Sequence, residues 1–453
     1  MRLPLSWPRA ILQRPEADIM QFKLQPGGVI IGSARVPGDK SMSHRSIMLG
    51  ALAEGTTQVS GFLEGEDALA TVAAFRAMGV EIEGPDNGNL TIYGVGLHGL
   101  KPPEEALDLG NSGTSIRLLS GLLAGQAFDT ELTGDASLCS RPMGRVIEPL
   151  RSMGAVISSD ARGQPPLHIT GTSPLQGIHY DLPMASAQVK SCVLLAGLYA
   201  QGRTSVTEPA PTRDHTERML RGFGCNVTRD NGVISVSGGS RLTAADIDIP
   251  ADISSATFFL VAACIAPGSD LTLTHVGINP TRIGVLNILR LMGADITLSN
   301  EREVGGEPVA DIRVRYAPLT GIDIPQEQVP LAIDEFPALF IAAACASGRT
   351  VLRGAEELRV KESDRIAAMA EGLTTLGVEN EVLEDGIVIC GGELGGGEIK
   401  TYHDHRIAMA FTIAALRSER PISVLDCDHV ATSFPGFDAL ARDLGVRLTT
   451  ESD

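Results

Sequence analysis

The segment Leu291-Met-Gly-Ala-Asp-Ile296 decides the fold, because close variants of it recur along the chain. Each variant places an apolar residue, a glycine and then a short run that can begin a strand. The other five copies are AMGVEI at 77–82, SMGAVI at 152–157, GFGCNV at 222–227, TLGVEN at 375–380 and DLGVRL at 443–448. Glycine tolerates the left-handed backbone that commonly closes a helix. The pattern therefore predicts six helix ends, each followed by a strand.

The stretches that open the repeats also resemble one another. ALAEGTTQVSG at 51–61 and ACASGRTVLRG at 344–354 both join a small, apolar helix to a strand rich in threonine and valine. The repeating unit is thus a helix, a strand, a second helix and further strands. Six such units exceed what one hydrophobic core supports, so we expect two domains of three units each, with a crossover near Pro250. The sequence leaves open whether the units stack linearly or surround a three-fold axis.

The composition is that of a soluble globular protein. Of the 453 residues, 43% are hydrophobic and 20% are charged, and no apolar run approaches the roughly 20 residues that cross a bilayer. The formal net charge of -18 argues against binding to nucleic acid or to an anionic membrane, because both need an excess of Lys and Arg. If the ligands are anions, the positive charge must be local.

The cysteines and the N-terminal residues indicate the compartment. Seven cysteines, an odd number, are scattered and include no CxxC pair, which predicts reduced thiols, no zinc site and a cytoplasmic protein. Residues 1–20 lack an apolar core long enough for a secretory signal, and prolines interrupt them. We therefore predict that residues 1–20 form a poorly ordered extension.

The most charged stretch is LRVKESDR at 358–365, which stands ahead of an apolar helical run. If it begins a helix, Lys361 and Arg365 lie four residues apart and Glu362 and Arg365 lie three apart, so all three share one face. One carboxylate then sits between two cations. Taken alone, a solvated helical turn with ordinary ion pairs also explains the pattern.

Four other polar stretches interrupt the apolar pattern in the same way. They are VPGDKSMSHR at 36–45, LGNSGTSIR at 109–117, MASAQVKS at 184–191 and YHDHR at 402–406. Each offers small or cationic residues at a predicted helix start, where free backbone amides favour anions. Singly, each also fits a capped helix on the surface, but together they concentrate positive charge in one cleft. A metal site at His403 and His405 is disfavoured, since no third ligand is close in sequence.

Six ordered motifs give the chain a family resemblance. PGDKSMSHR, LGNSGTSIR, SRPMGR, SAQVKS, RVKESDR and YHDHR resemble those of the EPSP synthases (3-phosphoshikimate 1-carboxyvinyltransferases), in particular of their divergent bacterial class. The resemblance runs from about Phe22 to the C-terminus. It implies an α/β fold of two globular domains, each with three βαβαββ units around a pseudo-three-fold axis, an inside-out α/β barrel. Domain one would be residues 1–37 plus 251–453 and domain two 38–250, with crossover hinges near 37 and 250.

The resemblance also implies a reaction without a cofactor or metal. Family members transfer the enolpyruvyl group of phosphoenolpyruvate to the 5-hydroxyl of shikimate 3-phosphate and release phosphate through a tetrahedral adduct, in the shikimate pathway to the aromatic amino acids. These two substrates would be the partners of a monomer. The catalytic residues would be Asp334 as the base for the 5-hydroxyl, Glu362 as the proton donor to carbon 3, and Lys40. A carboxylate among cations has a depressed pKa, so Glu362 would need bound substrate anions to hold its proton.

The binding residues follow from the same motifs. Guanidinium groups suit phosphates and carboxylates, because their N–H groups form a planar fork. The residues implied for phosphoenolpyruvate are Lys40, Gly113, Arg141, Gln188, Arg365 and Arg406. Those implied for shikimate 3-phosphate are Lys40, Ser41, Arg45, Ser186, Ala187, Gln188, Arg213, Asp334 and Lys361.

This chain departs from many family members at a few positions. Ala187 stands where a second serine is frequent, and Thr432 stands where a lysine is frequent. Arg213 lies where others use Ser and Tyr, which makes it the expected replacement ligand for the shikimate phosphate. Tolerant members of the divergent class can have Ala at the position of Gly113. Because this chain keeps glycine, we expect glyphosate to compete with phosphoenolpyruvate.

Two other functions compete with this interpretation. UDP-N-acetylglucosamine enolpyruvyl transferase shares the fold and the donor and carries a reactive cysteine in a glycine-rich loop. Cys139 lies in the corresponding loop, GDASLCSRPMGR, but the Ser-Arg-Pro that follows it matches the synthase motif. The second alternative is a non-catalytic repeat scaffold with an anion-binding cleft. It is disfavoured by the joint presence of Lys40, Asp334, Glu362 and Arg406.

Overall fold

The computed structural model describes residues 20–171 and 174–452. Over these ranges short strands alternate with helices, which confirms the predicted mixed α/β fold. Residues 1–19 of the predicted N-terminal extension lie outside the described residues. The prediction that the extension includes Met20 is wrong, because the backbone of Met20 pairs with that of Ser452 at the start of a strand.

The regular elements are short. In chain order the α-helices are α1 (Lys40–Leu52), α2 (Glu66–Ala77), α3 (Gly113–Ala124), α4 (Ala136–Cys139), α5 (Gly144–Ser152), α6 (Ala187–Gly197), α7 (His215–Gly222), α8 (Ile253–Ile265), α9 (Gly284–Leu291), α10 (Phe336–Ala344), α11 (Arg365–Thr375), α12 (His405–Ala414) and α13 (Phe437–Leu444). Three 3-10 helices are Gln326–Gln328, Glu356–Val360 and Asp428–Thr432. The strands are β1 (Met20–Leu24), β2 (Ile31–Ala34), β3 (Glu54–Ser60), β4 (Glu81–Asp86), β5 (Asn89–Val95), β6 (Leu107–Asp108), β7 (Thr130–Thr133), β8 (Val156–Ser158), β9 (Leu167–Thr170), β10 (His179–Asp181), β11 (Arg203–Thr207), β12 (Thr228–Asp230), β13 (Val233–Ser237), β14 (Ile247–Asp248), β15 (Asp270–Gly277), β16 (Asp295–Val304), β17 (Glu307–Arg315), β18 (Arg349–Leu352), β19 (Asn380–Val382), β20 (Ile387–Cys390), β21 (Gly397–Ile399), β22 (Ile422–Val424) and β23 (Leu448–Ser452).

The six predicted helix ends are all present. Helices α2, α5, α7, α9, α11 and α13 each end one or two residues before the repeated glycine, and a strand follows. The glycines have positive φ angles, from 81° at Gly377 to 116° at Gly445. Only glycine adopts this conformation without a steric penalty on its side chain, so the glycine terminates the helix.

The described strands form six small sheets, of which five are mixed and one, β18-β20-β19, is antiparallel. Their strand orders are β21-β22-β1-β23, β10-β11-β13-β12, β14-β3-β5-β4, β16-β17-β15-β2, β18-β20-β19 and β6-β7-β9-β8. The sheet of β10 to β13 is built from consecutive elements in the order strand, helix, strand, helix, strand, strand. Other sheets take a distant strand: β14 lies parallel to β3, β2 lies parallel to β15, and β1 lies between β22 and β23.

The buried apolar side chains form two clusters. One contains residues from Met42 to Ile249, and the other contains residues from Phe22 to Val36 and from Ala251 to Leu448. The chain thus passes between the clusters twice, close to residues 37 and 250. The domain boundaries near these residues stay a prediction.

Several helices are buried on nearly every side. All residues of α8 and α10 are buried, and α1, α3, α6 and α12 are almost as enclosed. A helix that is apolar all round belongs in a core, so these helices fill the space between the sheets. Because their flanks are covered, their polar N-terminal ends are the parts that can meet a ligand.

Candidate active site

A polar cavity lies among the N-terminal ends of α1, α3, α6, α8 and α12. It is lined by all but two of the predicted site residues. Those that line it are Lys40, Ser41, Gly113, Arg141, Ser186, Gln188, Arg213, Asp334, Lys361, Glu362, Arg365 and Arg406. The fold therefore brings together polar loops that are far apart in sequence.

The two exceptions are Arg45 and Ala187. Arg45 is buried in α1, where its guanidinium donates to the Ser41 carbonyl at 2.9 Å, to Thr216 Oγ1 at 2.6 Å and to Ser191 Oγ at 2.9 Å. Arg45 thus supports the residues behind the cavity wall rather than lining it. Ala187 is the first residue of α6 and is half-buried. A direct contact of either residue with a ligand stays a prediction.

The cavity wall is strongly cationic. Nine Lys and Arg side chains line it against five Asp and Glu side chains, in a chain with a formal net charge of -18. The N-terminal helix ends add partial positive charge at the same place. Six of these cations are among the predicted site residues, whereas Arg117, Arg145 and Arg282 are not. The local excess of positive charge is the feature that an anionic ligand requires.

The stretch 358–365 begins its helix later than the sequence suggests. A 3-10 helix covers Glu356–Val360, and α11 starts only at Arg365. The cause is Asp364, whose side chain accepts a hydrogen bond from the Ala367 amide at 3.0 Å and so caps the helix. Lys361 and Glu362 therefore lie in the connecting loop, and the prediction that they share a helical face with Arg365 is wrong.

Asp334 is surrounded by cations. Its carboxylate accepts from Arg365 Nη1 at 3.4 Å and forms ion pairs with Lys361 Nζ, also at 3.4 Å, and with Arg213. Burial by itself would raise the pKa of Asp334, but Lys361, Arg213 and the neighbouring arginines hold the pKa well below its ordinary value. Asp334 is therefore ionised at neutral pH. Burial likewise opposes the charge on Lys361, but Asp334 and Glu357 raise its pKa.

Arg365 contacts Glu362 as well as Asp334, the two candidate catalytic carboxylates. Its Nη2 donates to Glu362 Oε2 at 2.5 Å. Its Nε donates to a third carboxylate, Asp404 Oδ2, at 2.8 Å. Burial would raise the pKa of Glu362, but the charges of Arg365 and Arg141 keep it well below its ordinary value. Burial lowers the pKa of His405 to about 4, so its imidazole is neutral at pH 7.

A second group of cations faces the start of α3. Arg141 donates to the side chain of Asn111, and Arg117 Nη1 donates to the Gly113 carbonyl at 3.1 Å. Burial, followed by the charges of Arg141 and Arg145, lowers the pKa of Arg117 to about 10. Such crowding of like charges is costly without a counter-ion. This corner of the cavity is therefore suited to an anion.

The YHDHR motif has a structural explanation. Asp404 caps α12 by accepting from the Arg406 amide at 2.9 Å, and it also accepts from Arg365 and from Ser363 Oγ at 3.0 Å. No group of three or more His, Cys, Asp or Glu side chains in the described part of the chain is arranged to hold a metal ion. The motif thus orients Arg365 and Arg406 toward the cavity.

Known proteins of one family are similar to this chain along nearly its whole length. A profile of the family described as EPSP synthase (3-phosphoshikimate 1-carboxyvinyltransferase) matches residues 24–440. A 3-phosphoshikimate 1-carboxyvinyltransferase from Alkalilimnicola ehrlichii is 67% identical over 431 residues, which are 95% of this chain and 97% of the relative. One from Methylococcus capsulatus is 68% identical over 427 residues, or 94% and 98% of the two chains.

Solved structures show the same similarity. The 2.37 Å structure of EPSP synthase from Acinetobacter baumannii has a TM-score of 0.88 and 59% sequence identity, and the match covers 96% of this chain and 100% of that one. The enolpyruvyl transferase NikO from Streptomyces tendae shares the fold, with a TM-score of 0.79 at 16% identity. Sequence and fold agree over the full length of these relatives, and the chain belongs to the EPSP synthase family.

Proposed function

We propose that this protein transfers the enolpyruvyl group of phosphoenolpyruvate to the 5-hydroxyl of shikimate 3-phosphate and releases phosphate. This is the activity of a 3-phosphoshikimate 1-carboxyvinyltransferase, in the shikimate pathway of aromatic amino acid biosynthesis. The observation that supports it best is the cavity itself, in which nine cations surround the two carboxylates Asp334 and Glu362. Two polyanionic substrates need such a site, and proton transfer needs such carboxylates.

The phosphoenolpyruvate site lies in our proposal between Lys40, Arg141, Arg365 and Arg406. Lys40 is only partly engaged, with Asp67 as its partner, and Arg406 Nη1 donates to the Asp334 carbonyl at 2.8 Å. Both side chains line the cavity, so a phosphate or carboxylate bound there can reach them. Arg117 is a further candidate, because its nearest charged neighbours are cations.

The proposed shikimate 3-phosphate site shares this cavity and Asp334. Ser41, Ser186 and Gln188 line the cavity there, and Gln188 Nε2 donates to Thr114 Oγ1 at 2.9 Å. Arg213 supplies the cation for the phosphate once it separates from Asp334. Asp334 and Lys361 then contact the ring hydroxyls, which replace Arg213 as partners of the Asp334 carboxylate.

The proton transfers fall to Asp334 and Glu362. Asp334 is ionised, as a base for the 5-hydroxyl must be. Glu362 is also ionised at neutral pH, so it can donate a proton to carbon 3 only after its pKa rises. Substrate anions beside Arg365 and Arg141 weaken the field that lowers this pKa, and closure of the site removes water. Addition and elimination then proceed through a tetrahedral intermediate.

The test is a phosphate-release assay with two alternative acceptors. We expect release from phosphoenolpyruvate that depends on shikimate 3-phosphate and not on UDP-N-acetylglucosamine. The position of Cys139 favours this outcome, because Cys139 is absent from the residues that line the cavity and its Sγ lies 3.4 Å from the Gly134 carbonyl. Release that requires the nucleotide sugar would overturn the proposal, and no release with either acceptor would favour the scaffold.

We further propose that residues 38–250 and residues 1–37 plus 251–453 are two domains that close on the substrates. The two apolar clusters support this division, as does the split of the cavity cations between them. The finer arrangement of three units around a pseudo-three-fold axis in each domain is part of the same proposal. A bound polyanion neutralises cations on both sides, so it favours the closed state.

Small-angle scattering checks this closure. We expect saturating shikimate 3-phosphate to lower the radius of gyration of the protein, because the ligand bridges cations of both clusters. Inorganic phosphate at the same concentration is the control, since one small anion bridges fewer of them. An unchanged profile at saturation would contradict ligand-driven closure.

Gly113 sets the expected response to glyphosate. A methyl group at this position would lie 2.7 Å from Arg117 Nη1 and 2.9 Å from Arg141 Nη1. Both atoms end flexible side chains, so Gly113→Ala should fold but should displace two cations of the proposed phosphoenolpyruvate site. Such crowding costs on the order of 1 to 3 kcal/mol, and the longer inhibitor has less room to adjust than the substrate.

We therefore expect glyphosate to compete with phosphoenolpyruvate in this protein. Gly113→Ala should raise the inhibition constant at least several-fold and should raise the KM for phosphoenolpyruvate less. Gly110→Ala is not a suitable control, because Gly110 has a φ of 57°; Gly144→Ala, with only Glu148 Oε1 at 4.0 Å, is one. Inhibition constants that agree within about twofold would show that Gly113 does not control access of the inhibitor.

We also propose that the protein is a monomer and that it is located in the cytoplasm. The seven cysteines are all free thiols, and burial raises the pKa of Cys345 and Cys264 to about 12, which keeps them protonated and unreactive. No helix in residues 20–171 and 174–452 is long and apolar enough to cross a membrane. Cell fractionation and light scattering test the two statements.

A further inference from the structure

Arg282 occupies a central place that the reaction described so far does not use. It lies in the loop between β15 and α9, is only 3% exposed and contributes to the wall of the cavity. A buried guanidinium must find several partners, because removing its charge from water is costly. The partners of Arg282 are therefore informative.

The two closest charged partners end the two crossover segments of the chain. Arg282 Nη1 donates to Asp39 Oδ2 at 2.9 Å, and Nη2 donates to Asp252 Oδ1 at 3.0 Å. The crossovers are also joined directly, since the Asp39 amide donates to the Pro250 carbonyl at 2.8 Å and the Asp252 amide to the Pro37 carbonyl at 2.9 Å. One guanidinium thus holds both connections between the apolar clusters.

Each of these aspartates also caps a helix that starts at the cavity. Asp39 Oδ1 accepts from the Met42 amide at 2.8 Å at the start of α1, and Asp252 Oδ1 accepts from the Ser254 amide at 2.9 Å at the start of α8. Lys40 directly follows Asp39 and lines the cavity. A displacement of the Arg282 guanidinium would therefore move Asp39, and with it the start of α1 and Lys40.

A second path leads from Arg282 to Asp334. Arg282 Nη2 donates to Ser254 Oγ at 2.6 Å, and Ser254 Oγ in turn donates to Glu335 Oε1. Glu335 is 2% exposed and adjoins Asp334 in the chain. The same guanidinium is therefore connected to the residue beside the proposed base and to the residue beside the proposed phosphoenolpyruvate ligand.

A third contact involves α7. His215 Nδ1 bonds with Glu307 Oε1 at 2.8 Å, which leaves Nε2 to accept from Arg282 Nη1 at 3.3 Å. Burial would raise the pKa of Asp39, but the charge of Arg282 lowers it to about 2, so the carboxylate stays ionised beside the guanidinium. The network is thus ordered by fixed donors and acceptors.

We propose that Arg282 is a positioning residue for the enolpyruvyl transfer, which fixes the two crossover segments so that Lys40 and Asp334 meet the same pair of substrates. The inference rests on the proposed function. Arg282 contacts no reacting atom in this scheme and acts through Asp39, Asp252 and Ser254. The planar fork is essential, because it serves two carboxylates from two different nitrogens at once.

The test is Arg282→Lys, which keeps the charge but replaces the fork by one ammonium group. A lysine can bond one aspartate well, and the crossovers then lose their common partner. We expect kcat at saturation with both substrates to fall by about 10²-fold, the effect of a displacement of about 1 Å between reacting groups. The dissociation constant for shikimate 3-phosphate should change by less than about threefold. Most of the residues that are proposed to bind it lie within 38–250, on one side of the crossovers.

Two further variants keep the test decisive. Arg313→Lys alters an equivalent fork, which binds Asp270 at 2.8 and 2.6 Å on the surface, and should leave kcat unchanged. Asp252→Asn removes one charged arm; it should lower kcat on its own and should add little in the Arg282→Lys background. If Arg282→Lys does not fold, the kcat and thermal melting of Asp252→Asn carry the test.

The outcomes separate the inference from the proposed function. A folded Arg282→Lys protein with kcat within about twofold of wild type would overturn the positioning role, as would fully additive losses in the double variant. The positioning role would also be overturned if kcat fell only in proportion to the fraction of protein that binds shikimate 3-phosphate, because the loss would then reflect misfolded protein. Absence of turnover in the wild-type protein would overturn the proposed function and this inference with it.

Discussion

Glu362→Gln is expected to lower kcat by at least about 10²-fold, the contribution typical of a general acid, while binding of shikimate 3-phosphate stays largely intact. Glutamine keeps the oxygen that accepts from Arg365 Nη2 at 2.5 Å, so the ion-pair geometry around Arg365 and Asp404 should be preserved. Glutamine cannot release a proton to carbon 3, however. The loss should therefore appear in kcat rather than in the dissociation constant of the acceptor.

The measurement is steady-state turnover together with calorimetric binding of shikimate 3-phosphate. Glu379→Gln is a matched control, because Glu379 is exposed beyond the C-terminal end of α11 and is absent from the cavity wall. If Glu362→Gln keeps near-full turnover, the proton donor lies elsewhere. Lys40 is then the first candidate, since it lines the same cavity.

The depressed pKa of Glu362 makes this prediction sensitive to the bound state. Burial is outweighed by the charges of Arg365 and Arg141, so the carboxyl is ionised. A general acid is useful only when its pKa approaches the working pH. The phosphate and carboxylate of phosphoenolpyruvate would supply the negative charge that raises the pKa. We therefore expect Glu362 to act as an acid only in the complex with the proposed substrates.

Local patterns in the sequence predict the elements of this fold but not their long-range pairing. The six glycines that close helices are visible because a left-handed backbone has a strong residue preference. The pairing of β1 with β22 and β23 joins residues more than 400 positions apart, as in Met20 with Ser452 and Phe22 with Val424. Nothing in a five-residue strand specifies such a partner, because each strand only presents one apolar face.

The candidate site is predictable where it consists of helix starts with unusual polarity. Lys40, Gly113, Gln188 and Arg406 were found in this way, and their helices do converge on the cavity. Arg117 belongs to the polar stretch at 109–117 but was not predicted to bind either substrate, and it lies inside α3 among buried leucines. Its side chain turns back to the Gly113 carbonyl, at the start of its own helix.

Arg282 shows a second reason why sequence reasoning falls short. It stands alone in the loop INPTRIG, with no other charged residue near it in sequence. Its carboxylate partners come from positions 39 and 252, and only the fold brings them to it. A charge whose partners are all distant leaves no local pattern, so its importance appears only when the burial of its guanidinium is known.

Asp334→Ala is expected to impair both turnover and binding of shikimate 3-phosphate. The carboxylate is the proposed base for the 5-hydroxyl, and its loss should lower kcat by about 10²- to 10⁴-fold. It also supplies the charged acceptor for substrate hydroxyls, and each such hydrogen bond contributes about 1.5–3 kcal/mol, so the dissociation constant should rise by about tenfold or more. Glu327→Ala, an exposed carboxylate seven positions earlier, is the control for a general loss of negative charge.

Asp334→Asn separates the two roles of this carboxylate. The amide can still accept from Lys361 and from a substrate hydroxyl, but it cannot take a proton, and it weakens the attraction to Arg213 that competes with the substrate phosphate. We therefore expect kcat to fall as far as in Asp334→Ala, while the dissociation constant for shikimate 3-phosphate changes much less. Calorimetry gives the dissociation constant for shikimate 3-phosphate, and single-turnover kinetics give the rate of the chemical step, for both variants. Turnover of Asp334→Asn near the wild-type rate would show that another group, or bound water, removes the proton of the 5-hydroxyl.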